Sequence, residues 1–194
     1  MEERSQEEKI LDAAYATIAR EGYMSTSLRQ IANEANVAVS QISYHYQNKE
    51  GLLLAVVRRV ANKYYEYMQA YLKPEMSPLE KAECFIQLYQ EVLEEDPDLF
   101  RVLYDLAGLA LWSEPVRLQV REIFRGIMDQ ITHEIFTGEL MGRLGYTYAP
   151  ETLASLFFGG IFGIAVQSLL EPDNQTIPGS LGALNVIFKV GEVS

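Results

Sequence analysis

The sequence is poor in the residues on which catalysis and covalent cross-linking most often depend. Its 194 residues include one cysteine, Cys84, two histidines, His45 and His133, and one tryptophan. A lone cysteine excludes an internal disulfide, fits a reducing cytoplasm, and reads better as a buried structural thiol than as a reactive one. There is no glycine-rich phosphate loop and no partner motif for Cys84, so the chain reads as a non-enzyme with no cofactor. Asp129 and His133, four residues apart, could supply half of a metal site, but that helical spacing far more often marks a surface pair. No strict alternation, internal repeat or low-complexity tract competes with a helical reading. The N-terminal "MEERSQEEK" is acidic and lacks an apolar block, unlike a signal peptide.

Long apolar runs are also scarce. The longest, "LASLFFGGIFGIAVQSLL" (153 to 170), approaches membrane-spanning length. It contains Ser155, Gln167 and Ser168, ends at "EPDN" and has no flanking basic residues, so we expect a helix buried on nearly every side and no membrane partner. Hydrophobic residues make up 48% of the chain, enough for a substantial core. The net charge of −11 is unevenly spread: residues 1 to 65 are neutral and residues 66 to 194 carry the whole excess. Between 20 and 63, six basic side chains face three acidic ones. Only this first third is suited to a polyanionic partner.

Helical periodicity dominates throughout. In "EEKILDAAYATIAREG", Ile10, Leu11, Ala14 and Ile18 share a face and Gly22 stops the helix. "TSLRQIANEA" follows, with Thr26 or Ser27 as N-cap, and then the short "SQISYHY", in which Ile42 and Tyr46 are spaced i, i+4. Asn48 caps a long helix that stops at Lys73-Pro74. Further helices are expected near 77 to 95, 98 to 112, 114 to 138, 150 to 171 and 178 to 190. The expected fold is therefore all-α: a helix-turn-helix domain over 1–48, a connecting helix over 49–73, and a larger bundle over 74–194.

One stretch demands a physical explanation. From Glu34 to Lys49 no side chain carries a formal charge, and the gap is filled with hydroxyls, amides and Tyr44-His45-Tyr46. Two short helices joined by a tight turn have the dimensions of a helix-turn-helix, whose second helix enters the DNA major groove. Base edges there offer donors, acceptors and thymine methyls rather than net charge. A carboxylate on that face would be repelled by the flanking phosphates.

The segments "ILDAAYATIAREGY", "TSLRQIANEANV" and "ISYHYQNKEGLL", in this order, resemble the DNA-binding domain of TetR-family transcriptional regulators over residues 9 to 54. The family's second helix commonly reads T-[TS]-[VL]-x-x-I-A-x-x-A-G-V and its recognition segment L-Y-x-H-F-x-x-K-x-x-L. The resemblance implies phosphate contacts from Thr26 or Ser27, Tyr44, His45 and Lys49, the kind of groups that meet phosphate oxygens. It implies base reading by Val39, Ser40, Gln41 and Ser43, with Gln41 suited to adenine and Val39 to a thymine methyl. Arg29 is either part of this interface or a solvated cation. Two positions depart from the pattern. Ala38 stands where the family usually has a capping Ser or Thr, which leaves Ser40 as an alternative cap, and Ser43 stands where Tyr is frequent. Tyr46 shares the Ile42 face and reads as core.

The same resemblance implies a homodimer through the helices near 150–171 and 178–190, gripping a pseudo-palindromic operator in double-stranded DNA. "FFGGIFGIA" suits this, because Gly159, Gly160 and Gly163 permit close backbone approach. It further implies a small-molecule effector in the bundle. The aromatic and methionine supply there (Tyr64, Met68, Phe85, Tyr89, Phe100, Tyr104, Trp112, Phe124, Met128) fits plain core as well as a cavity wall. Met68, Phe85, Tyr89, Tyr104, Phe124, Met128, Phe158, Phe162 and Gln167 are the candidate lining, apolar with a few polar tips, favouring a hydrophobic or aromatic ligand. The expectation is a cytoplasmic repressor released by such a ligand.

Overall fold

The structure, a computed structural model, describes residues 5–174 and 176–188. Among the described residues it is all-helical, with no strand. Ten α-helices run α1 (Gln6–Glu21), α2 (Leu28–Glu34), α3 (Val39–Tyr46), α4 (Lys49–Tyr71), α5 (Pro78–Glu95), α6 (Pro97–Ala110), α7 (Glu114–Glu134), α8 (Gly138–Leu144), α9 (Pro150–Leu170) and α10 (Thr176–Ala183), followed by a 3-10 helix at Leu184–Phe188. They form two compact units. One comprises the described residues up to Lys63 together with Asp98–Arg121; the other comprises Tyr64–Pro97 and the described residues from Glu122 onward.

The helix ends follow local chemistry. Ser5, Ser27 and Ser77 each close a capping box with the residue three positions on, Glu8, Gln30 and Glu80, so orphan amides at the starts of α1, α2 and α5 are satisfied. The Asn48 carboxamide oxygen accepts from the Gly51 N–H (2.9 Å) and caps α4. Gly22 ends α1 at φ +77°, a backbone setting that costs glycine little. Asn36 takes φ +54° in the turn between α2 and α3, the left-handed region that Asn tolerates better than most residues.

Three boundaries differ from expectation. The seventh helix ends at Glu134, and a separate α8 follows, begun by the Thr137 hydroxyl accepting from Leu140 N–H and ended by Gly145 in the left-handed region. The last α-helix stops at Ala183 and tightens into a 3-10 turn, and residues 189 and 190 of the expected helix lie outside the described residues. Trp112, expected in the aromatic stripe, is 89% exposed beyond the end of α6.

In the N-terminal unit α1 packs on α2 and α2 on α3. Ile10, Ala14, Ile18, Ile31, Ala32, Ile42 and Leu52 are buried there. In the larger unit α5, α9, α10 and the 3-10 helix pack on one another. Phe85, Phe136 and Phe157 are its largest fully buried side chains, with Phe157 meeting both others at ring-centroid distances of 5.8 and 6.2 Å. At about 25 cal/mol per Å² of apolar surface, each such ring stabilises the unit by about 2–3 kcal/mol.

The α9 helix is long and apolar enough to cross a membrane by length and composition. Within its unit, however, Leu153, Ala154, Phe157, Phe158, Ile161 and Ala165 are buried. The opposite side carries exposed Ser155, Leu156, Gly159 and Gln167. This is a core helix with one face left uncovered.

Candidate nucleic-acid interface

The helix-turn-helix displays what it does not need for its own core. Ile42 and Tyr46, one turn apart, are buried, and the Tyr46 hydroxyl donates to the Glu7 carbonyl oxygen at 3.0 Å. That anchors the back of α3 against the start of α1. The tyrosine is a core residue, and burial together with nearby Glu7 pushes its phenol up to about 12. With the back fixed, Val39, Ser40, Ser43 and Tyr44 are left exposed, Tyr44 at 81%. Gln41 and His45 are half-buried at the edges of this row, and the Tyr44 and His45 rings meet edge to face at 5.1 Å. Uncharged, hydrogen-bonding and convex, this surface suits base edges.

The α3 helix begins at Val39 with Ala38 as its N-cap and no side-chain cap bond. Ser40 therefore does not cap. It lies inside the first turn and is exposed.

At the margins, Ser27 and Arg29 are exposed at the start of α2. Thr26 is not: it is 3% exposed, and its hydroxyl donates to the Gly22 carbonyl oxygen at 2.8 Å. It braces the turn after α1, and of the two candidate caps Ser27 is the one used.

Lys49 is also occupied. Its ammonium donates to the Tyr23 carbonyl oxygen at 2.6 Å and lies 4.1 Å from the centroid of the Tyr23 ring. The Tyr23 N–H, in turn, donates to the Asp105 carboxylate of α6 at 2.6 Å. Burial pushes the Lys49 ammonium below its ordinary range, with Asp105 pulling the other way, and pushes the Tyr23 phenol up. Lysine, tyrosine and aspartate thus clasp the turn between α1 and α2, a role that sequence spacing did not reveal because Asp105 is 82 residues away.

The sequence model described as "Bacterial regulatory proteins, tetR family" matches residues 10–56, the segment that builds this surface. The fatty acid metabolism regulator protein of Bacillus subtilis is 28% identical over 149 residues, 75% of this chain and 76% of that protein. Over residues 10–56 the chain is thus similar to the TetR family. TetR-family proteins are transcriptional regulators that bind DNA and have no enzymatic activity. Two solved structures share the fold over nearly the whole length. The regulator FadR of Bacillus subtilis, in complex with stearoyl-CoA, superposes with a TM-score of 0.81 at 21% identity, covering 94% of this chain and 98% of that one. A regulator of Saccharomonospora viridis, in complex with choline, gives 0.82 at 22% identity, covering 93% of each. One fold thus accommodates ligands of opposite character, so effector chemistry must be sought in this chain's own residues.

The residues suggested for a TetR-type effector cavity are distributed over both units. Phe124, Phe158 and Phe162 do come together, with ring centroids 5.5 to 5.8 Å apart. Met68, Phe85 and Tyr89 are buried, and Phe85 packs on Tyr89 at 5.0 Å and on Phe157, as core side chains do. Met128 is half-buried on α7. Tyr104 belongs to the other unit, where it stacks on Phe100, and Gln167 is exposed with its amide donating to the Gly163 carbonyl oxygen at 3.1 Å. A groove of about 380 Å³ does open in the larger unit beside Met68, Lys81, Gln130 and Glu134, of which only Met68 was anticipated. Sequence reasoning passed over these polar groups because a charged residue on an amphipathic helix ordinarily marks its solvated face.

The remaining sequence candidates settle quietly. The His133 ring Nδ1 lies 2.6 Å from the Asp129 backbone carbonyl oxygen, and no metal-binding cluster is found among the described residues. Cys84 is half-buried, its thiol pushed up by burial.

Proposed function

We propose that the protein is a homodimeric, sequence-specific repressor whose two α3 helices enter successive major grooves of a pseudo-palindromic operator. The observation that carries this reading is the exposed uncharged row Val39, Ser40, Ser43 and Tyr44, held outward by buried Ile42 and Tyr46. Gln41 reads adenine from the edge of the row and Val39 packs on a thymine methyl. Ser27, Arg29, Tyr44 and His45 hold the phosphates. Thr26 and Lys49 act indirectly, by fixing the turn that presents α2. Residues 1–48 read the DNA, 49–73 connect, and 74–194 dimerise and take the effector.

Dimerisation uses α9 and the segment after it. An added Cβ at Gly160 would stand 2.8 Å from Leu184 Cδ2, so that glycine is spent on packing inside the chain, whereas Gly159 and Gly163 face open space. Leu156 is 60% exposed beside them. A second copy would cover this face and set the two recognition helices about 34–36 Å apart, one turn of DNA. The effector has an apolar body, consistent with the aromatic interior and with the likeness to a regulator that binds stearoyl-CoA. It acts through α4, which contributes turns to both units.

Fluorescence anisotropy on a selected operator tests the reading. Tyr44→Ala and Gln41→Ala should each weaken binding by about 1–3 kcal/mol, and only Gln41→Ala should relax base preference. Affinity of the parent should fall steeply with salt as counterions are released. Unchanged affinity in both variants would remove α3 from the interface.

A further inference from the structure

The groove beside the C-terminal ends of α4 and α7 has a composition at odds with its surroundings. The larger unit holds sixteen Asp and Glu residues against five Lys and Arg, yet two of those five, Lys73 and Lys81, stand at this one groove. Lys81 is withdrawn from water, its side chain 12% exposed, and its only ion-pair partner among the described residues is Glu134, still 42% exposed. Gln130 uses its side-chain oxygen to accept from the Tyr64 hydroxyl at 3.3 Å, so what it can offer the groove is its NH2. Met68, Leu72 and Pro74 supply an apolar wall.

We propose that this groove binds a small amphipathic carboxylate. Its head takes Lys81 from Glu134, with Lys73 and the Gln130 amide completing the site, and its apolar tail lies along Met68, Leu72 and Pro74. The exchange is favourable in form because one carboxylate replaces another: Lys81 stays paired throughout, and Glu134, already half in water, swings out. The inference rests on the reading of the larger unit as the effector-binding part, and it names the chemical class of that effector. A volume of about 380 Å³ lies at the small end of the range for ligand sites, roughly 300–1,000 Å³, and suits a short amphipathic chain. The unit's large negative excess also repels a multiply charged head more than a single carboxylate. Both α4 and α7 begin in the N-terminal unit and end at this groove, so a ligand here touches two helices shared by both units.

Isothermal titration of the full-length protein with octanoate, octanol and octanoyl-CoA tests this. Octanoate should bind saturably, octanol at least tenfold more weakly, and octanoyl-CoA no more tightly than octanoate. Lys81→Met should weaken octanoate at least tenfold, and Glu134→Gln should tighten it about threefold by freeing Lys81 of its internal rival. A purely structural ion pair would give no tightening, so Glu134→Gln keeps the test decisive even if Lys81→Met folds poorly by circular dichroism. Absent octanoate binding, equal binding of octanol, tighter octanoyl-CoA, or weaker binding by Glu134→Gln would each overturn the proposal. Operator affinity of the ligand-free protein is measured in parallel: if it is intact while carboxylate binding fails, only this inference falls, and if it is absent the regulator reading falls with it.

Discussion

Replacing Asp105 with alanine probes the clasp that holds the turn between α1 and α2. The wild-type carboxylate accepts the Tyr23 N–H at 2.6 Å, and Lys49 grips the same residue's carbonyl oxygen at 2.6 Å. A hydrogen bond to a charged acceptor contributes about 1.5–3 kcal/mol, and partial exposure of Asp105 places this one toward the lower end, about 2 kcal/mol. Asp105→Asn keeps an acceptor oxygen and loses only the charge, so about 1 kcal/mol should go. Hydrogen exchange at the Tyr23 amide reads the effect where it arises. Asp105→Ala should accelerate it by about 5- to 30-fold, with a smaller change for Asp105→Asn. Because Thr26 and Ser27 follow directly on this turn, operator affinity should fall in the same order. Equal exchange rates in all three proteins would refute the reasoning, since the turn would then be held by something else.

Other consequences are as direct. Ala38→Ser supplies the cap that α3 lacks and should stabilise the N-terminal unit by about 0.5–1 kcal/mol in urea denaturation without weakening operator binding. Gly160→Ala should change the stability of the larger unit by less than about 1 kcal/mol, because the terminal methyl of Leu184 can turn aside while alanine favours the helix, whereas Gly159→Leu should leave monomer stability intact and shift sedimentation toward a smaller species. Tyr46 prefers its neutral form when folded, with a pKa of about 12 against an ordinary 10.0. Its contribution is fully present below pH 10 and is lost as pH rises through 12. Tyr46→Phe should therefore flatten part of the alkaline loss seen in denaturation at stepped pH, and should cost about 1 kcal/mol at neutral pH through the lost bond to Glu7.

How much of this was legible in the sequence depends on the range of the interaction involved. The helix starts at Ser5, Ser27 and Ser77 are written within four residues, and so is the stop at Gly22. The inward turn of Ile42 and Tyr46 follows from a 3.6-residue period, which also leaves Ser40, Ser43 and Tyr44 outward. Thr26 misleads because threonine and serine cap equally well on paper, and only the Gly22 carbonyl decides which faces out. The α8 helix hides behind glycines at 138, 142 and 145 that read as loop, although Thr137 caps it. The membership of residues 98–121 in the N-terminal unit has no local signature at all, and with it goes the Asp105 clasp. The effector lining was least legible, since a methionine or phenylalanine on an amphipathic helix looks the same whether it faces core or cavity. Lys81 and Glu134 at the groove of the larger unit went unread for a different reason, since charged residues on an amphipathic helix ordinarily mark its solvated face.

The central claim is that paired α3 helices read two half-sites of one duplex. Selection of binding sequences from a random library by the purified full-length protein, followed by hydroxyl-radical footprinting of the winner, tests it most directly. The account predicts an inverted repeat with two protected patches centred about one helical turn apart. Failure to enrich any sequence, or a single protected patch with no symmetry mate, would contradict it.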